Sequence, residues 1–146
     1  MKKVVFICTG NTCRSPMAAA IFQRLRPDVE AASAGLSAAG GEPANANAVA
    51  AMAEMGLDIA GHRARRFSPE MARGALVVAM TRGQAELLRR MCPQAQVETL
   101  GEDIADPFGG GMARYREAAR QIERGARALA ARLSRGGGES DASPRV

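Results

Sequence analysis

The chain has 146 residues, 47% of them apolar, which is enough to close one hydrophobic core without disulfides or metal and too much for a disordered polymer. Its net charge of +5 raises a nucleic-acid reading, but residues 112–135 carry seven arginines against two glutamates, with Tyr115 their one aromatic, so the excess reads as a solvated helix face. Three cysteines, Cys8, Cys13 and Cys92, exclude a secreted disulfide framework. No apolar run reaches the length of a signal core or a membrane span, so a soluble, cytoplasmic protein with no nucleic-acid or membrane partner is expected.

Residues 4–8 form a continuous β-branched run, which suits a strand buried on both faces of a parallel sheet. Residues 9–15 are polar and read as a loop; Pro16 fits the first turn of a helix that Pro27 stops. A weak second strand covers 29–34. A helix is expected from Pro43 to Met55, with Gly56 as its stop. Residues 61–67 make a basic loop, 69–72 a short helix, and 75–80 the clearest later strand. Thr81 and Gln84 have the spacing of a capping box for a helix ending before Pro93. Residues 96–99 give a fourth strand, and 101–111 a loop long enough to suggest function.

The last helix is expected over 112–133, with Tyr115, Ala118, Ala119, Ile122, Ala126, Leu129 and Leu133 on its apolar stripe. From Gly136 onward the composition is that of a disordered tail, which leaves a domain over 1–135 and a tail over 136–146. Alternating strands and helices predict a single-domain α/β fold with a doubly wound, four-stranded parallel sheet. Ligands of such sheets sit beyond the C-terminal strand ends, which is where Cys8 falls.

The segment Cys8-Thr9-Gly10-Asn11-Thr12-Cys13-Arg14-Ser15 runs from strand to helix, so its amides and the helix N-terminus can converge on one anion. Gly10 and Asn11 are residue types that accept left-handed backbone angles. Arg14 adds a planar fork for two phosphate oxygens. These donors favour the thiolate of Cys8, and attack on phosphorus would give a cysteinyl-phosphate for water to hydrolyse. Ser15 can donate to the sulfur and make it a better leaving group. The predicted phosphate site is therefore Thr9, Gly10, Asn11, Thr12, Cys13, Arg14 and Ser15, beneath which Cys8 is the nucleophile. For the leaving-group proton the local sequence offers Asp106, with Glu102 and Asp103 as competitors, and Asp106 reads equally as a turn initiator before Pro107.

These residues resemble the low-molecular-weight protein tyrosine phosphatase family, and more closely its bacterial protein-arginine phosphatase branch. The resemblance runs from about Lys3 to Leu133. It rests on the segment from Cys8 through Ser15-Pro16-Met17-Ala18, on Ser33-Ala34-Gly35, on Gly61-His62-Arg63-Ala64-Arg65, on Ala79-Met80-Thr81 and on Asp106-Pro107-Phe108-Gly109-Gly110. It implies Cys8 as nucleophile, Arg14 as phosphate clamp and Asp106 as general acid. It also implies a polar network of Asn11, Ser15, Ser33 and His62 that supports the loop, and a Cys13 within disulfide reach of Cys8, where a redox role and a plain structural thiol are equally open.

Thr12, where tyrosine-specific relatives are aliphatic, and Phe108, where they often carry tyrosine, point to phosphoarginine on proteins over phosphotyrosine. The aromatic-free stretch 36–49 agrees. A departure from the family pattern is Ala19, where relatives carry an acidic residue. No cofactor and no metal are expected, and the protein is expected to be a monomer or weak dimer. Thioredoxin-linked arsenate reductases share the loop but need two further cysteines, and only Cys92 remains here. A non-catalytic phosphoprotein-binding or redox-sensing module would have no use for Cys8 and Asp106 together.

Overall fold

The computed structural model describes residues 3–142. The elements in chain order are β1 (Lys3–Cys8), α1 (Arg14–Leu25), β2 (Glu30–Gly35), α2 (Ala46–Glu54), a 3-10 turn (Pro69–Ala72), β3 (Leu76–Ala79), α3 (Arg82–Met91), β4 (Gln96–Thr99) and α4 (Met112–Ala142). The strands form one parallel sheet in the order β2-β1-β3-β4. This is the four-stranded, doubly wound α/β architecture expected from the alternation of strands and helices. The chain leaves β1 to one side for β2 and crosses β1 again for β3, so the end of β1 is the crevice where the winding reverses.

Strand period divides the core in two. Val4, Phe6 and Cys8 face α1, α2 and α4 together with Leu76 and Val78. Val5, Ile7, Val77 and Ala79 face the other way, onto Phe67, Ala72, Ala85 and Leu88. Few aromatics are needed because alanines let the layers approach; Phe6 and Phe22 supply one tilted ring pair at 5.5 Å. On α4, Tyr115, Ala118, Ala119, Ile122, Ala126 and Leu129 are buried, with Leu133 partly so, while Arg116, Arg120, Arg124 and Arg127 are exposed. Three of these arginines pair with Glu54, Glu117 and Glu123, which fits a solvated face.

Boundaries differ from the sequence expectation by more than one residue in three places. Helix α1 starts at Arg14, inside the stretch read as a loop, so Arg14 and Ser15 share its first turn with Pro16, as expected of the proline. Helix α2 starts at Ala46 rather than Pro43, because Asn45 caps it through an Oδ1 that accepts the Asn47 N–H at 2.8 Å. Pro43 is instead drawn into an antiparallel bridge with Arg63. Helix α4 continues to Ala142, beyond the end expected at Leu133. Its ladder extends one bond per residue from a packed helix, which weak formers interrupt less than they prevent. Residues 143–146 of the expected tail lie outside the described residues. The capping box at the start of α3 is present in full, with Thr81 and Gln84 bonding reciprocally.

Candidate active site

Cys8 ends β1, 2% exposed, and the chain turns at once into a loop that closes on the N-terminus of α1. The turn depends on Asn11, which among the described residues is the non-glycine residue with positive φ, at 59°. Its side chain is tied on both ends. Nδ2 donates to Ser15 Oγ at 2.8 Å and Ser33 Oγ at 3.0 Å, and Oδ1 accepts the Arg65 N–H at 2.9 Å. The Asn11 carbonyl accepts from His62 Nε2 at 2.7 Å; a carbonyl only accepts, so that ring nitrogen carries its proton. Asn11, Ser15, Ser33 and His62 thus form one support network behind the loop.

Gly35, which ends β2, allows this loop to sit where it does. A Cβ there would lie 2.7 Å from the Thr9 carbonyl oxygen and 3.0 Å from the Asn11 nitrogen. Both are backbone atoms, so nothing flexible can give. We expect Gly35→Ala to lower the unfolding free energy by about 1–3 kcal/mol. Inorganic phosphate binding should weaken with it. Unchanged denaturant midpoint and phosphate affinity would show that the loop does not need this close approach.

Around the sulfur, Ser15 supplies both its N–H, at 3.4 Å, and its hydroxyl, at 2.9 Å. A serine has one proton, and Asn11 Nδ2 already occupies a lone pair of the hydroxyl. That proton has two acceptors within reach, Cys8 Sγ and, further off at 3.5 Å, the Ala34 carbonyl. Arg14 is 5% exposed; its Nη1 is pinned to the Ile104 carbonyl at 2.8 Å. Its Nε is buried with no partner. An unsatisfied buried donor costs about 1–3 kcal/mol, so this one is poised for an acceptor.

Cys8, Thr9, Gly10, Thr12, Cys13, Arg14, Asp106 and Phe108 line a cleft of about 240 Å³. Asp106 comes from the loop before α4. Its Oδ1 accepts the Phe108 N–H at 3.1 Å, and its Oδ2 is 3.7 Å from Arg14 Nη2. Phe108 stands 72% exposed at the rim. Of the two competing carboxylates, Asp103 is turned to Arg82, accepting its N–H at 2.8 Å, and neither it nor Glu102 lines the cleft. Cys13 is buried, and that burial, reinforced by the charges of Cys8 and Asp106, pushes its thiol up to about 11. Cys13 therefore keeps its proton at neutral pH.

Three contributors lie outside the residues that the sequence singled out for the site. Gln84 accepts the Met80 and Thr81 N–H groups on Oε1, and its Nε2 reaches Thr9 Oγ1 at 3.2 Å. Arg65 braces β2 through Nε to the Ser33 carbonyl at 3.1 Å. Ile104 matters through its carbonyl alone. Cys92 is elsewhere, lining a groove of about 750 Å³ with Pro69, Ala72 and Pro93; burial raises its thiol pKa.

The low molecular weight phosphotyrosine protein phosphatase family matches residues 3–138 of the chain. A probable low molecular weight protein-tyrosine-phosphatase, EpsP, of Ralstonia nicotianae is 36% identical over 140 residues, covering 91% of this chain and 97% of its own. A protein-arginine-phosphatase of Geobacillus stearothermophilus is 39% identical over 132 residues, covering 83% and 88%. Among solved structures, Vibrio vulnificus Wzb in complex with benzylphosphonate superposes with a TM-score of 0.87 at 28% identity, over 90% of this chain and 99% of that one. Fold and relatives together define a small α/β protein phosphatase of the cysteine-based type. The chain belongs to the low molecular weight phosphotyrosine protein phosphatase family. Its relatives are named for tyrosine and for arginine, so membership fixes the reaction and leaves the phosphorylated residue open.

Proposed function

We propose that the protein hydrolyses phosphoarginine on proteins, with Cys8 as nucleophile, Arg14 as phosphate clamp and Asp106 as general acid and base. The observation that carries the chemistry is the pairing of a Cys8 sulfur held by Ser15 with a buried, unpartnered Arg14 Nε–H in one cleft. The loop amides of 9–15 and Arg14 take the equatorial oxygens of the phosphoryl group. Cys8 thiolate forms an S–P bond while the bond from phosphorus to the guanidino nitrogen breaks, and Asp106 gives its proton to that nitrogen. Water then attacks phosphorus, Asp106 takes a proton from it, and the S–P bond breaks to return the thiolate and phosphate. The Ser15 hydroxyl stabilises the departing sulfur in this second step.

Preference for arginine rests on Thr12. It lines the cleft, and its carbonyl is fixed by the Asn45 N–H at 2.8 Å. A hydroxyl there meets the polar guanidinium that an aliphatic residue would leave unpaired. Thr12→Ile should reduce kcat/KM for a phosphoarginine peptide by about tenfold or more while changing the phosphotyrosine rate much less. An unchanged ratio would remove Thr12 from specificity. The second reading is a tyrosine phosphatase: although Phe108 stands where tyrosine-specific relatives often carry tyrosine, its exposed ring still offers a face on which a phosphotyrosine ring can stack. Initial rates on matched phosphoarginine, phosphotyrosine and phosphoserine peptides decide between them.

Electron relay of the arsenate-reductase kind is disfavoured by Cys92, which lines a different groove from the cleft. Among the described residues no helix is long and apolar enough to cross a membrane. We assign the activity to a domain over 1–135, acting on phosphorylated proteins in the cytoplasm as a monomer or weak dimer.

A further inference from the structure

We propose that Cys13 is a positioning residue for the acid: its thiol hydrogen holds Oδ1 of Asp106, so that the proton to be transferred sits on Oδ2. The proposal rests on the assignment of Asp106 as general acid. Cys13 Sγ lies 3.8 Å from Asp106 Oδ1, and that oxygen also accepts the Phe108 N–H at 3.1 Å. A carboxyl oxygen has two in-plane lone pairs, and here both are taken by donors. A proton added to Asp106 therefore goes to Oδ2, the oxygen 3.7 Å from the phosphate clamp Arg14. A phosphoryl dianion bound on Arg14 neutralises the cation that would otherwise oppose that proton.

The thiol suits this task because it does not ionise while Asp106 cycles. Its proton is retained at neutral pH through burial, as described above. In the first step the Oδ2 proton moves to the leaving nitrogen or oxygen as its bond to phosphorus breaks, and Asp106 is left a carboxylate. Cys13 and Phe108 still donate to Oδ1, so Oδ2 is the oxygen that later takes the proton of the attacking water. Cys13 neither gains nor loses a proton in the cycle.

The test is a series of aryl phosphates with graded leaving groups, measured on wild type, Cys13→Ala, Cys13→Ser, Asp106→Asn and the Cys13→Ala/Asp106→Asn double variant. Phosphate binding is measured alongside to report on the cradle. Cys13→Ala should lose about three- to tenfold in kcat on the poorest leaving groups, the worth of one neutral hydrogen bond, and little on the most activated. Cys13→Ser, which keeps a donor, should restore the wild-type slope, and Cys13→Ala should add nothing on the Asp106→Asn background. A loss in Cys13→Ala that is equal across leaving groups, or that persists in the double variant, overturns the proposal and leaves Cys13 a packing residue. If Asp106→Asn itself shows no leaving-group dependence, the acid assignment fails first and the positioning role falls with it.

Discussion

Replacing Cys8 with serine should abolish turnover, by about 10³-fold or more, and leave binding of phosphate analogues intact or tighter. A hydroxyl at this position has no base to activate it: Ser15 is the group in contact, and a serine hydroxyl is no base. Any phosphoserine that did form would be a poor leaving group for water to displace. Binding survives because the loop backbone does not depend on the sulfur. Asn11, Ser33, His62 and Gly35 hold it from behind. In the proposed mechanism Cys8 attacks as the thiolate, so a neutral hydroxyl also removes a negative charge from beneath a bound dianion. Steady-state rates with phosphate-analogue titration by calorimetry check both halves. A Cys8→Ser variant with wild-type turnover would reject the nucleophile, and one that no longer binds phosphate would mean that the sulfur is structural.

Arg14→Lys should reduce kcat/KM by about 10²–10³-fold although the charge is kept. Arg14 does two things with one planar group: Nη1 pins the Ile104 carbonyl, and Nε stays unpaired beside the cleft. A lysine ammonium reaches one of these positions at most and offers no parallel pair of donors to a phosphoryl group. The transition state should suffer more than the ground state, because the fork is matched to oxygens whose charge and geometry change during transfer. The kcat loss should therefore exceed the rise in KM. A loss confined to KM would recast Arg14 as a simple electrostatic anchor.

Much of this was readable from the chain because the signals are local. A β-branched run ending in Cys8, a polar turn containing Gly10 and Asn11, and Arg14 entering a helix are contiguous, so the cradle's outline follows from eight residues. The central strands and the α3 cap were equally local. The unreadable parts are those that the fold brings together. Gln84 meets Thr9 across 75 positions, and His62 meets Asn11 across 51, a contact that no local signal carries and that the family resemblance alone implies. Gln84 was legible as a cap, but its second bond needs β1 and β3 to be neighbours. Gly35 looked like a strand end; its close approach to Thr9 and Asn11 exists once β2 lies beside β1. The start of α2 differs because Pro43 fits a first helical position in sequence, whereas its pairing with Arg63 holds it outside the helix and Asn45 supplies the cap.

The central claim is a covalent sulfur–phosphorus intermediate at Cys8, and trapping it is the direct measurement. Enzyme mixed with a fast aryl phosphate, quenched in acid within the burst and digested, should show one phosphoryl group on the peptide that contains Cys8 and Cys13. Fragmentation should place it on Cys8, and Cys13→Ser should still carry it. Burst release of the leaving group with no phosphopeptide, or with the label on another residue, would contradict the account.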